Sequence, residues 1–160
     1  MKFFTKAEIT GTRAYFEREG FEEVQVNLGE REFSYFVVPQ SLELGLPNFV
    51  MLMTGDPDDG YVLGISDSVD PVHRQYAVAH EYIEFVETQA DVPNRCTMAL
   101  DEELRLVPDA IKPGYVAMRL QFFTDLIGYC SGQPELYTED DIGQFRENAA
   151  KLESLMDATE

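Results

Sequence analysis

Strand-type and helix-type sequence patterns occupy separate parts of this chain, and that separation restricts its fold more than any other feature. Four short apolar segments separated by turn residues predict β-strands, at 21–28, 31–38, 48–54 and 61–66. From Asp70 onwards, the apolar residues recur at helical spacing instead. Because strands and helices do not alternate along the chain, the order predicts an α+β fold rather than a parallel sheet built from βαβ units.

Capping residues mark the ends of the predicted helices. Thr5 followed by Glu8 matches a capping box, which predicts a first helix over 5–19, ahead of the strands. Asp70 directly before a proline favours the start of a second helix, predicted to run to about Ala90. Further helices are predicted at about 97–107, at about 113–129, and from about 138 to near the C-terminus.

Size and composition favour one domain. The chain has 160 residues, is 44% hydrophobic, and contains no repeat or dividing linker. We therefore predict that residues 1–160 form one domain, in which a small, mostly antiparallel sheet of about four strands packs against a helical C-terminal half. No apolar run is long enough to cross a bilayer, and the N-terminus lacks a secretory pattern, so a cytoplasmic location is predicted. Cys96 and Cys130 form no CxxC pair and are predicted to be reduced thiols.

The charge balance narrows the class of partner. Twelve lysine and arginine residues stand against 30 aspartate and glutamate residues, which gives a formal net charge of -18. Such a surface repels phosphate backbones and anionic lipids, so we expect neither nucleic acid nor a membrane as a partner. It suits cations and basic peptide or protein ligands, and a peptide or protein ligand is therefore expected.

The segment His80-Glu81-Tyr82-Ile83-Glu84 carries the most recognisable chemistry. His80 and Glu84 are four residues apart, so on a helix their side chains lie one turn apart on the same face and can converge on one metal ion. Glu81, next to the first ligand, would then act as the general base that takes a proton from water.

A third metal ligand is predicted on the helix that follows. Leu100, Leu104 and Val107 define the apolar stripe of that helix, and Glu103 falls inside it. An acid on a core-facing stripe needs a partner, because an unpaired buried charge is costly. Glu103 is therefore the predicted third ligand, and Asp125 is a weaker candidate.

The order of these features resembles the core of the zincin metallopeptidases. A strand at 61–66 precedes the His80-Glu81-x-x-Glu84 helix, and a second acidic helix ends at Pro108. Within the zincins, the arrangement is most similar to the small intracellular regulatory type typified by ImmA and IrrE. The resemblance implies a zincin-like fold and a metal-dependent, peptidase-like hydrolase. His80, Glu84 and Glu103 would bind the metal, Glu81 would be the catalytic base, and the 61–66 strand would be the sheet edge that pairs with an extended substrate.

A second hypothesis about function remains open, because the metal-binding motif is incomplete and the same residues fit an ordinary helix. Glu84 stands where the zincin motif has its second histidine. Carboxylate-rich sites favour harder ions, so the expected metal is zinc or manganese. The same residues also fit a helix with a core-side histidine and a solvated acidic face. The chain would then be a non-catalytic binding or regulatory module, either a degenerate zincin scaffold or an acidic surface that holds a basic partner.

Overall fold

The sheet in the computed structural model, which describes residues 3–159, has four strands in the order β1-β2-β4-β3. The strands are β1 (Glu23–Leu28), β2 (Arg31–Val38), β3 (Val50–Thr54) and β4 (Tyr61–Ser66). β1 pairs antiparallel with β2, β3 pairs antiparallel with β4, and β2 pairs parallel with β4. The predicted α+β class is confirmed, with a mixed sheet in which the antiparallel pairings outnumber the parallel one.

β3, and not β4, forms the sheet edge beside the helical half. β4 lies between β2 and β3, so the prediction that residues 61–66 form the sheet edge is wrong. The turn at 55–60 folds the chain back, so that Thr54 pairs with Tyr61 and Val50 pairs with Ile65. β3 therefore covers the side of β4 that the sequence analysis left open to a substrate.

The helices follow the predicted order along the described part of the chain. They are α1 (Lys6–Arg18), α2 (Pro71–Tyr82), α3 (Arg95–Leu106), α4 (Lys112–Ser131) and α5 (Glu139–Asp157). The predicted capping box is present at α1, where Thr5 and Glu8 hydrogen-bond each other's backbone N–H. Within residues 3–159, no helix combines the length and apolar character that crossing a membrane requires.

The second helix does not continue to Ala90 as predicted. After α2, the chain widens into a π-helical segment, Ile83–Glu87, and leaves the helix at Thr88. The N–H and the hydroxyl of Thr88 both donate to the Ile83 carbonyl, at 3.1 and 2.7 Å, and this closes the wide turn. Such π turns are frequent at functional sites, and this one begins three residues after His80.

Helices cover both faces of the sheet. Phe16 of α1 meets Phe36 of β2 with ring centroids 5.2 Å apart, in a cluster built on one face. On the other face, Leu63 and Ile65 of β4 pack in a second cluster with Ala77 and its neighbours in α2. Small residues on α2 let the helix lie close to the strands. α3 packs against α2, and α5 packs against α3 and α4, so α2 has the sheet on one side and the helical half on the other.

Candidate metal centre

His80 lies near the C-terminal end of α2, with only 1% of its surface exposed. Its Nε2 atom is 3.2 Å from Oε2 of Glu84 and 3.4 Å from Sγ of Cys96. Glu84 follows one turn later in the π segment, and Cys96 lies in the first turn of α3. One donor atom from each of the three residues lies within 4.8 Å of the others. Two predicted metal ligands and one cysteine that the sequence analysis did not select therefore meet at one point.

The other ring nitrogen of His80 contacts Glu103. Nδ1 of His80 is 2.7 Å from Oε2 of Glu103, and both side chains are buried. The second carboxylate oxygen of Glu103 accepts a short hydrogen bond from the Tyr115 hydroxyl and lies 2.7 Å from Nε of Arg119. A carboxylate on Nδ1 favours the tautomer with its proton on Nδ1, which leaves a lone pair on Nε2 for a metal ion.

This placement differs from the predicted ligand set. The sequence predicts Glu103 as a ligand beside Glu84, whereas the structure has it on the opposite ring nitrogen from Glu84 and Cys96. Glu103 is buried on the core-facing side of α3, as its position in the apolar stripe predicted. Asp125, the weaker candidate, is partly exposed and accepts a hydrogen bond from Gln121 on α4.

Cys96 is held in place by α5. The side-chain amide of Asn148, which is 1% exposed, lies 3.3 Å from Sγ of Cys96. The Cys96 backbone N–H donates to the side chain of Gln144 at 3.1 Å. Sequence reasoning missed this residue because it compared the two cysteines only with each other. Spacing along the helix held the signal, since Cys96 lies seven residues before Glu103 and hence on the same face of α3.

Glu81 lines the same cleft as His80 but takes no part in the hydrogen bonds that join His80, Glu103 and Cys96. Within residues 3–159, its carboxylate has no hydrogen-bond or ion-pair partner, and it is partly buried. Burial, together with the nearby Glu84 carboxylate, raises the pKa of Glu81 to about 7. The carboxylate is thus free to accept a proton from a molecule held against His80, as the predicted general base requires.

The surroundings of the cluster favour positive charge. Burial of the His80 ring disfavours its cation, but Cys96, Glu103 and Glu84 together raise the pKa of His80 well above its ordinary value. Burial also raises the pKa of the Cys96 thiol, although His80 acts in the opposite direction. For Glu103, burial again opposes the charged form, while Arg119 and His80 hold its pKa below its ordinary value. The acids around Nε2 therefore stabilise a positive charge at that point, which is the proton of the imidazolium ring when no ion is bound and which a metal ion would displace.

Two of the separations among the three donors, both measured from Nε2 of His80, match those around one tetrahedral ion. Zinc binds nitrogen and oxygen at about 2.0–2.2 Å and sulfur at about 2.3 Å, so at tetrahedral angles N and O lie about 3.3 Å apart, and N and S about 3.6 Å apart. The corresponding separations here are 3.2 Å from His80 to Glu84 and 3.4 Å from His80 to Cys96. Three donors with the fourth position open are typical of a catalytic rather than a structural zinc site.

A cleft of about 480 Å³ opens beside the cluster. His80, Glu81, Glu84 and Cys96 form part of its wall. Much of the remaining wall is apolar and comes from β3, α4 and α5, including Val50, Leu52, Phe122, Phe123, Leu126 and Phe145. The donor atoms thus face a cavity of the size that holds small ligands or side chains.

Comparison with known proteins found no family model that matches this sequence, no similar curated protein and no similar solved structure.

Proposed function

We propose that this chain is a metal-dependent hydrolase with a zincin-like arrangement that acts on peptide bonds. The observation that carries the proposal is the spacing of Nε2 of His80, Oε2 of Glu84 and Sγ of Cys96, whose donor atoms lie within 4.8 Å of one another. The Glu103 carboxylate on Nδ1 supports it, since ligating histidines usually donate their other N–H to a carboxylate or carbonyl. The predicted ligands His80 and Glu84 keep their roles, Cys96 becomes the third ligand, and Glu103 becomes the residue that orients His80.

The donor set favours zinc over manganese. The sequence analysis left both metals open because it considered nitrogen and carboxylate donors alone. A cysteine thiolate is a soft ligand that selects zinc, whereas manganese prefers sites of oxygen ligands. The position of Cys96 beside Nε2 of His80 therefore supports Zn²⁺ as the ion.

Glu81 would supply the proton transfer. A bound zinc ion acts as a Lewis acid, which polarises a carbonyl group and makes water more acidic. Glu81 lines the cleft next to His80 in the sequence and has no partner of its own within residues 3–159. Its carboxylate would accept the proton of the attacking water and return it to the leaving amine, while His80, Glu84 and Cys96 would hold the ion.

A second candidate function uses Cys96 as a nucleophile. Cys96, His80 and Glu103 are joined in the order of a catalytic triad, with Sγ 3.4 Å from Nε2 and Nδ1 2.7 Å from the carboxylate. A reactive cysteine, however, needs partial exposure and a positive environment that lowers its pKa. Cys96 is 4% exposed, and burial, followed by smaller effects of Glu84 and Glu81, raises the pKa of its thiol. These two acids serve a metal site and oppose a thiolate nucleophile, so the metal-dependent reaction is preferred.

Metal content and cobalt spectroscopy test the proposal. We expect about one zinc ion per chain after dialysis against trace zinc, because three preformed donors make a high-affinity site. Cobalt substitution should give a thiolate-to-cobalt charge-transfer band in the wild type. Cys96→Ala should abolish that band. Cys130→Ala, which removes the other buried cysteine, is the matched control and should retain it.

Hydrolysis of unstructured peptides, followed by mass spectrometry, separates the candidates. Under the metal-dependent reaction, Glu81→Gln keeps zinc and loses hydrolysis, since Glu81 transfers a proton and does not ligate. Under the cysteine mechanism, wild type without metal is active, and alkylation of Cys96 inactivates it. If the wild type binds no zinc and shows neither activity, the hydrolase proposal fails and the non-catalytic binding module takes its place.

A further inference from the structure

The apolar cleft has the shape of a side-chain pocket next to the candidate metal centre. Phe122, Phe123 and Leu126 of α4 line it together with Phe145 of α5. At about 480 Å³, the cleft is larger than a single aromatic side chain needs and lies in the range of typical ligand pockets. Aromatic walls of this kind bind large apolar groups by removing them from water.

The exposed edge of β3 borders this cleft. The Phe49 carbonyl accepts from Ser66, and Met51 and Met53 continue that alternation, so their N–H and C=O groups point towards β4. The backbone groups of Val50 and Leu52 then point away from β4, along the edge of the sheet, where they have no backbone partner among residues 3–159. The side chains of both residues line the cleft. An extended chain lying along this edge would therefore reach a backbone partner and a side-chain pocket at the same position.

The segment before α1 already makes one backbone hydrogen bond to this edge of β3. The backbone N–H of Phe4, which lies just before α1, donates to the Thr54 carbonyl at 3.0 Å. The side chain of Phe4 lines the same cleft as His80. Gly55 lets the segment lie this close, since a Cβ atom there would clash with the Phe4 carbonyl oxygen. A segment with an aromatic side chain thus fits the end of β3, and Leu52 and Val50 lie further along the strand towards its start.

Negative charge lies next to the cleft. An adjoining depression shares Glu84, Arg95, Asp141 and Gln144 with the cleft. The residues that line this depression include five acids and one base. The acids are Glu84, Glu139, Asp140, Asp141 and Glu147. With a formal net charge of -18, the whole chain attracts cationic ligands and repels anionic ones.

We propose that the cleft selects extended peptide segments in which a large apolar side chain, above all an aromatic one, is flanked by lysine or arginine. The segment adds to the β3 edge at Leu52 and Val50, its aromatic side chain enters the cleft, and its basic residues face the acids of the adjoining depression. This inference rests on the proposed function for its choice of substrate class, since it names the peptide that the metal centre would cleave.

Fluorescence anisotropy with three labelled peptides tests the inference. The probes are a peptide with phenylalanine between two lysines, a counterpart with alanine in place of phenylalanine, and a counterpart with glutamate in place of lysine. Glu81→Gln protein loaded with zinc is used, so that the probe is not hydrolysed. We expect the alanine and glutamate counterparts each to bind about tenfold more weakly, because one loses apolar burial and the other gains repulsion.

Variants at exposed positions locate the binding without disturbing the core. Leu136→Asn removes an apolar side chain from the wall of the cleft, where Leu136 is 68% exposed, without adding a charge, and should weaken the lysine-flanked probe about tenfold. Leu44→Asn, at a leucine that is 89% exposed and outside the cleft, is the control and should change nothing. The double change Glu139→Gln with Glu147→Gln should remove most of the preference for lysine over glutamate. The same-helix control, Glu153→Gln with Asp157→Asn, should keep it.

The outcomes separate this inference from the proposed function. Equal binding of all three peptides, equal loss in Leu136→Asn and Leu44→Asn, or binding of a free fatty acid with no peptide binding would overturn the peptide selectivity. If zinc is bound while the peptides are not distinguished, the selectivity alone fails. If the peptides are distinguished as expected but no zinc binds to the wild type, the selectivity stands and the metal-dependent reaction fails.

Discussion

Glu103 joins two positively charged or protonated groups in the protein interior. Its carboxylate lies between His80 and Arg119, and all three side chains are at most 1% exposed. The Arg119 guanidinium also lies over the rings of Phe122 and Phe123, about 5 Å from each centroid. Taking these charges out of water is unfavourable unless they remain paired, so the network needs the negative charge of Glu103.

Glu103→Gln should therefore reduce both stability and zinc affinity. The glutamine keeps the shape but leaves the buried Arg119 cation without its ion-pair partner, which costs about 3–5 kcal/mol. It also weakens the hold on Nδ1 of His80, and loss of such a partner typically lowers metal affinity about 10–100-fold. Urea denaturation and zinc competition with a chelator measure the two effects.

Tyr115→Phe is the control for this network. It removes one hydrogen bond to Glu103 and keeps both charges, so we expect a loss of about 1–2 kcal/mol and little change in zinc affinity. Equal losses of zinc affinity in Glu103→Gln and Tyr115→Phe would show that packing around His80, rather than the carboxylate, determines its orientation.

At the residue scale, the sequence predicted side-chain faces better than atomic partners. The four-residue spacing predicted that His80 and Glu84 share a face, and the apolar stripe predicted that Glu103 is buried. Which ring nitrogen Glu103 contacts depends on how far α3 is shifted along α2, and helical periodicity carries no such information. Cys96 was missed for a different reason, since its seven-residue spacing from Glu103 places it on the same face of α3, but the two cysteines were compared only with each other.

At the element scale, α5 connects the helical half to the candidate centre. Its residues Gln144 and Asn148 hold Cys96. A capping box begins the helix, in which the Thr138 hydroxyl accepts from the Asp141 N–H and the Asp141 side chain accepts from the Thr138 N–H. This start is local in sequence, and the predicted beginning of the last helix near Thr138 is confirmed.

Thr138→Ala should lower the unfolding free energy by about 1 kcal/mol, because an N-cap residue satisfies backbone N–H groups that have no partner in the helix. Thr10→Ala is the matched control, since Thr10 is exposed inside α1 and makes no cap. Alanine has the higher helix propensity, so this control should keep or slightly raise stability. Urea denaturation of both variants measures the difference, and equal losses in the two variants would rule out the cap as the cause.

Elements were predictable where their signals are local and less so where they depend on distant partners. The hairpin of β1 and β2 and the helix caps follow from nearby residues, and the bounds of β2 and β4 agree with prediction. The place of β4 inside the sheet depends on a parallel pairing with β2, more than twenty residues earlier in the chain. The π segment also escaped prediction, because its wide turn is closed by Thr88 on Ile83, while the pattern of apolar residues continues through it.

At the scale of the whole molecule, the charge of the chain acts against its folded state. With 12 basic and 30 acidic residues, the acids outnumber the ion-pair partners available to them, and most of the ion pairs described are at partly exposed side chains. Exposed pairs contribute little to stability, so they do not offset the repulsion among the remaining carboxylates. Folding brings these carboxylates together, and the unfolded chain separates them.

We therefore expect sodium chloride to raise the melting temperature. At 0.1 M salt, the Debye length falls to about 10 Å, which screens repulsion between exposed carboxylates further apart than that. A gain of about 1 kcal/mol in unfolding free energy corresponds to about 2–4 °C for a chain of this length. Calorimetry is carried out with EDTA present, so that metal binding at His80, Glu84 and Cys96 does not contribute. Sucrose at equal osmolality is the uncharged control, and subtracting its effect isolates the electrostatic part. If this electrostatic change in melting temperature is zero or negative, the acids are spread widely enough over the surface for their mutual repulsion to be negligible. The net charge of -18 would then influence the choice of partner rather than the stability of the fold.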